Sequence, residues 1–182
     1  MINHSTMKFL TVLIILTAYC LTGCVTANFQ SNVKPEAKPD FKRILVATYL
    51  PSSRPEYLNE LKAAFPAGYQ VCVVSVTPLS FDDPQELIQQ QRQTCQSDVM
   101  LKIDFDRNFT TGSGKYIDSH SQFYAEMIDL ATNKPFWKAI ITTTTSSREV
   151  SARELVQKLQ QDDIIKGKIP NIPYQRYEQD NY

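Results

Sequence analysis

Val99-Met-Leu-Lys-Ile-Asp-Phe-Asp106 sets Val99, Leu101, Ile103 and Phe105 on one side of a strand and Met100, Lys102, Asp104 and Asp106 on the other. A period of two marks a strand with one dry face and one wet one. The apolar stretches before it read differently. Arg43-Ile-Leu-Val-Ala-Thr-Tyr-Leu50 and Tyr69–Val76 are nearly continuous, as parallel strands covered on both faces tend to be. Between them Ser53 and Glu56 stand at capping-box spacing, followed by a Leu58, Leu61, Phe65 face that ends by Pro66 and Gly68. Asp83-Pro84-Gln85-Glu86 opens a second helix with an N-cap, a proline in the first turn and a glutamate at the third position. Leu87, Ile88 and Cys95 form its inner stripe.

After a long polar loop over 106–121, Phe123–Leu130 and Phe136–Thr145 read as two more strands, joined at Ala131-Thr-Asn-Lys134. Trp137, Ala139 and Ile141 share the core side of the last strand, with Lys138 outside. Ser151 and Glu154 cap a third helix with Leu155, Val156 and Leu159 inward. The order β-α-β-α-β-β-β-α predicts an α/β (α+β) domain with a mixed sheet of about five strands and helices mainly on one face.

Composition excludes some partners. The chain carries 19 basic and 19 acidic residues, which leaves neither a nucleic-acid footprint nor a basic membrane patch. At the N-terminus, Lys8 precedes an apolar run from Phe9 to Leu21, with Val12, Leu13, Ile14, Ile15 and Leu16 at its centre. That is shorter than the 18 or so residues of a membrane span and fits a signal peptide. The run closes on Leu21-Thr22-Gly23-Cys24.

Those four residues resemble the lipobox of bacterial lipoproteins. The resemblance implies cleavage between Gly23 and Cys24, acylation of the Cys24 thiol and a lipid anchor in the cell envelope. Val25 follows the cysteine, where an aspartate marks inner-membrane retention in enteric lipoproteins, so the expected site is the periplasmic face of the outer membrane. The domain plan is a leader over 1–23, a lipidated flexible tether over 24–41, one α/β domain over 42–165 and an irregular tail over 166–182. Pro35 and Pro39 and the lack of an apolar period motivate the tether.

With Cys24 acylated, Cys72 and Cys95 are an even pair in an oxidising compartment. One lies near the start of the second strand and the other near the end of the helix returning antiparallel to it. A disulfide and two buried thiols are both open readings.

Catalytic residue types are scarce. Asp118-Ser119-His120-Ser121 offers triad chemistry only in name, because triad members meet across a fold and no G-x-S-x-G stands in the chain. Gly112-Ser-Gly-Lys115 fails as a phosphate loop: position 109 is Phe, and Lys115 precedes Tyr116. Asp104, Asp106 and Asn108 imitate the start of a calcium loop, but its glycine and closing acid are Phe109 and Lys115. With residues 1–23 removed and Cys24 acylated, one histidine, His120, and two separated cysteines lack zinc spacing. No metal or cofactor is expected. Asp104 and Glu126 are the one carboxylate pair worth testing for glycan hydrolysis.

The mature region resembles small α/β envelope lipoproteins, such as the penicillin-binding-protein activators and the curli-secretion class. The likeness lies in strand order and in the Glu126–Trp137 stretch, where one strand turns into another ending in Trp. It implies a non-enzymatic binding or assembly factor that holds an envelope protein or polymer. The offered surfaces are the wet sheet face, the 106–121 loop, an edge strand with the Thr142–Thr145 hydroxyl ladder, and the tail tyrosines Tyr174, Tyr177 and Tyr182. A lipid-anchored glycan or peptidoglycan hydrolase and a passive structural lipoprotein are the alternatives.

Overall fold

The computed structural model describes residues 27–51, 53–143 and 149–171. Six strands are present: β1 (Asn28–Val33), β2 (Arg43–Tyr49), β3 (Gln70–Ser75), β4 (Val99–Ser113), β5 (Tyr116–Asp129) and β6 (Lys134–Thr143). Among the described residues three α-helices accompany them, α1 (Pro55–Ala64), α2 (Pro84–Cys95) and α3 (Ala152–Gln161). All six strands join one mixed sheet in the order β1-β6-β5-β4-β2-β3. β2 runs parallel to both β3 and β4, while the remaining neighbours are antiparallel.

The expected class therefore holds, with one strand more than anticipated. Helices α1 and α3 cover one face. There Ile44, Val46, Leu101, Ile103, Phe123, Met127, Trp137 and Ile141 are buried together with Tyr57, Leu61, Leu155 and Leu159. On the opposite face α2 lays Leu87 and Ile88 over Leu45, Ala47 and Val74 of β2 and β3. The period-two reading of Val99–Phe105 is realised: Val99, Leu101 and Ile103 are fully buried, and Lys102 and Asp104 lie on the other face.

Four expectations need correction. The tether over 24–41 contains β1, which pairs along its whole length with β6, from Asn28 opposite Thr142 to Val33 opposite Trp137. Its composition hid it, because only Phe29 and Val33 reach the core while Asn28, Gln30 and Asn32 face water. The 106–121 loop is in fact the outer part of a β4–β5 hairpin, built on threonines and serines rather than on an apolar stripe. The strand reaching Thr143 is interior over most of its length, because β1 covers the side that was expected to be free. Finally, Ser53 does not cap α1. The N-cap is Arg54, Pro55 supplies the first turn, and the Ser53 hydroxyl lies 3.3 Å from that of Thr48.

The other two caps form as read. Asp83 accepts the amides of Gln85 and Glu86 at 2.8 and 3.1 Å, and Ser151 accepts that of Glu154 at 3.4 Å. Cys24, Thr144–Ser147 and the tail tyrosines lie outside the described residues.

Candidate binding surface

The half of the sheet that α2 leaves uncovered is a charged wall. Across it, Lys102 of β4 stands opposite Glu126 of β5, which stands opposite Lys138 of β6. In the next row Asp104 faces Tyr124, and Tyr124 faces Ile140. Opposite charges in such rows support the pairing of strands. Lys102 reaches Asp104 at 2.6 Å and lies 4.8 Å from the centre of the Tyr49 ring. Burial acts to lower the affinity of the Lys102 ammonium for its proton. The Asp104 hydrogen bond and charge outweigh it, so the group is held above its ordinary range. Burial pushes the Tyr49 phenol up, and the nearby Lys102 only partly opposes this.

Glu126 pairs with Lys138 at 3.4 Å. Asp104 and Glu126, the carboxylates proposed for hydrolysis, thus share one open face, each spent on a lysine. Neither lines the groove of about 460 Å³ between β1 and α3 or that of about 1050 Å³ beside Arg43, Gln70 and Gln91. General acid catalysis needs a carboxyl sheltered from water beside its substrate. This arrangement does not supply that shelter.

Among the described residues β4 pairs only with β5 beyond Asp104, and β5 only with β4 beyond Ser121, so the hairpin continues as a two-stranded arm from Phe109–His120 to Ser113–Tyr116. A bulge between Phe105 and Arg107 starts it. The extra residue shifts the alternation, so Arg107, Phe109 and Thr111 take the side that Lys102 and Asp104 hold lower down. His120 stacks on Phe109 with ring centres 5.1 Å apart, Arg107 lies 5.8 Å from the Phe109 ring, and Thr111 Oγ1 is 2.7 Å from His120 Nε2. At the tip Gly114 takes a φ of +69°, a conformation that favours glycine. Ile117, near the tip, is 73% exposed.

This geometry settles where the motif residues go. In Asp118-Ser119-His120-Ser121, successive side chains point to opposite faces. The Ser121 hydroxyl donates to Asn108 at 2.8 Å, on the face away from His120. Asp104, Asp106 and Asn108 do not converge either: Asp104 pairs with Lys102, Asp106 accepts Gln122 Nε2 at 2.9 Å, and Asn108 accepts Ser121. Among the described residues no group of three His, Cys, Asp or Glu could hold a metal ion. The Arg107, Phe109 and His120 cluster was not read from the sequence. Its one signal, the alternation running on through 117–123, was masked by the bulge on the other strand.

Cys72 and Cys95 form a disulfide at the opposite end of the sheet, with Cα atoms 6.4 Å apart. Beside it Asp98 accepts the amides of Lys42 and Arg43 at 3.1 and 3.0 Å and Arg43 Nε at 3.1 Å. The Arg43 hydrogen bond holds the Asp98 carboxyl below its usual range. Two further outlying exposed apolar residues, Leu79 and Phe81, sit in the connection between β3 and α2. Among the described residues no helix is long and apolar enough to cross a membrane.

The fold and this surface define a small α/β domain with one mixed sheet, helix-covered on one face and half open on the other. No family model matches the chain, and no curated protein matches it. Solved structures similar to it include the PelC dodecamer of Paraburkholderia phytofirmans, at 15% identity and a TM-score of 0.44, over 79% of this chain and 100% of that one. Another is the lipoprotein GNA1162 of Neisseria meningitidis, at 18% identity and a TM-score of 0.36, over 66% and 96%. A third is XCC0632 of Xanthomonas campestris, from the family DUF330, at 15% identity and a TM-score of 0.27, over 74% and 86%.

Proposed function

We propose that this chain is a lipid-anchored, non-enzymatic binding or assembly factor, held by acylated Cys24 on the periplasmic face of a bacterial outer membrane. Its partner is an envelope protein or polymer. The observation that carries the reading is the lipobox Leu21-Thr22-Gly23-Cys24 standing four residues before β1. An extended chain spans at most about 3.5 Å per residue, so the anchor stands within about 14 Å of the sheet. Several acyl chains hold a protein far more durably than one, since each buried methylene contributes about 0.8 kcal/mol.

The arm and the open wall are the surfaces that meet the partner. The arm offers rings and hydroxyls clear of the domain, and the wall offers Tyr124 and Ile140 among paired charges. Support for a binding role over hydrolysis comes from Asp104 and Glu126, which are tied to lysines on an open face instead of facing each other across a cleft.

Cell fractionation of a Cys24→Ser variant tests the anchor. The wild type should stay with the membrane pellet through a high-salt wash while the variant moves to the soluble fraction. A variant that still pellets would remove acylation as the basis of the tether.

A further inference from the structure

We infer that the free edge of β1 is a self-association surface, on which a second copy of this chain adds its own β1 antiparallel across a two-fold axis normal to the sheet. Among the described residues only one side of β1 is used, since β6 pairs with it and it ends the strand order.

The direction of its backbone groups follows from one bond. Lys34 donates its amide to the Phe136 carbonyl at 2.8 Å, and these two residues continue the β1–β6 register. Hydrogen-bonded and non-hydrogen-bonded pairs alternate along an antiparallel ladder. Asn28, Gln30 and Asn32 therefore bond to β6, while Phe29, Ser31 and Val33 turn their amides and carbonyls outward. Among the described residues no hydrogen bond reaches those outward groups.

Edge strands are normally guarded against such addition by charge, proline or a bulge. Asn-Phe-Gln-Ser-Asn-Val has none of these. The opposite edge strand, β3, is held differently, because Cys72 ties it to α2.

The strand also complements itself. With Ser31 opposite Ser31 of the second copy, Phe29 falls opposite Val33 and Val33 opposite Phe29. All three pairs join residues whose backbone groups point outward, so the register forms the six bonds of three hydrogen-bonded pairs. It also matches the two half-buried apolar side chains of each copy on the core side of the sheet. No charge on β1 opposes the approach of an identical strand, and a two-fold axis is the usual symmetry of a soluble pair. Six residues make a small interface, so the association is transient in dilute solution. Confinement of every copy to one membrane surface strengthens it. That strengthening rests on the acylation proposed above; the pairing does not.

The test uses two differently tagged full-length copies, one Gln30→Cys and the other Asn32→Cys, expressed together and treated with a mild oxidant. In the stated register residue 30 of one copy lies directly opposite residue 32 of the other. This is a non-hydrogen-bonded pair with Cα atoms about 4.5 Å apart, within disulfide reach. A mixed crosslinked dimer is expected from the co-expressed pair and none from either variant alone. A Ser31→Pro substitution, which removes one outward amide, should abolish the crosslink while the protein keeps wild-type abundance and its Cys72–Cys95 bond. A dimer formed by Gln30→Cys alone, a crosslink to some other protein, or no crosslink at all would overturn the pairing. Failure here is separable from failure of the anchor, which is read by fractionation alone.

Discussion

Helices α2 and α3 lie on opposite faces of the same sheet and are held there by different means. α3 buries Ala152, Leu155, Val156 and Leu159 against the core. α2 has no fully buried residue. Its Leu87 and Ile88 are half-buried, Arg92 Nη2 donates to the Leu130 carbonyl at 2.8 Å, and Cys95 ties its last turn covalently to Cys72. Burial stabilises by roughly 25 cal/mol per Å² of apolar surface, so a helix that buries little needs another constraint. A helix can belong to a fold through one sulfur bridge where its apolar stripe is too thin.

Removing that bridge should break the contrast most sharply. A Cys72→Ala, Cys95→Ala double variant opens a loop with a sequence separation of 23. The chain-entropy treatment puts the loss near 3 kcal/mol. Urea denaturation should show that loss. Amide exchange should quicken across 84–95 well before it does across 152–161; equal quickening in both helices would mean that α2 is packed as firmly as α3.

A smaller effect is expected at Asp98, which closes the same end of the sheet. Its folded carboxyl is held below the ordinary value of 3.8, chiefly by the Arg43 hydrogen bond. Such a group stabilises the fold at pH above the unfolded value, and the contribution is lost as pH falls through the lower folded value. Arg43 and Asp98 are partly exposed, so water screens the pair and the effect is smaller than that of the disulfide. Asp98→Asn should lower the urea midpoint at pH 7, and the deficit should narrow as the pH is taken below 4. A deficit that stays constant with pH would assign the effect to geometry instead of charge.

The smallest change belongs to the arm. Ile117→Ser removes a side chain that is 73% exposed, and stability should move by no more than about 0.5 kcal/mol. A larger loss in thermal unfolding would show that the arm packs against the domain.

The sequence made the core legible wherever apolar residues recur with a clean period. Val99, Leu101 and Ile103 on β4 and Leu155, Val156 and Leu159 on α3 all lie where their spacing puts them. The caps at Asp83 and Ser151 were readable for the same local reason, since the capping side chain and the amide it accepts are two or three residues apart. β1 was not legible: two half-buried side chains in six residues leave no stripe, and what fixes the strand is β6, a hundred residues away. The arm was missed because its strands pair with each other and, among the described residues, place none in the core, so its composition is that of a loop. The candidate surface was therefore only half visible, as its charged rows were read on β4 but its aromatic extension was not.

One inserted residue at the bulge before Arg107 acts as a phase corrector. Without it Phe109 would emerge from the reverse of the sheet, while His120, on the strand that carries no bulge there, would stay on the open face and lose its stacking partner. With it, the lysine and glutamate rows run straight into the Phe109–His120 stack, and the molecule presents a single strip about 20 Å long from Glu126 to His120 at roughly 3.3 Å per residue. A linear molecule laid lengthwise would cross ionic ground first and flat rings last, so the strip has a direction.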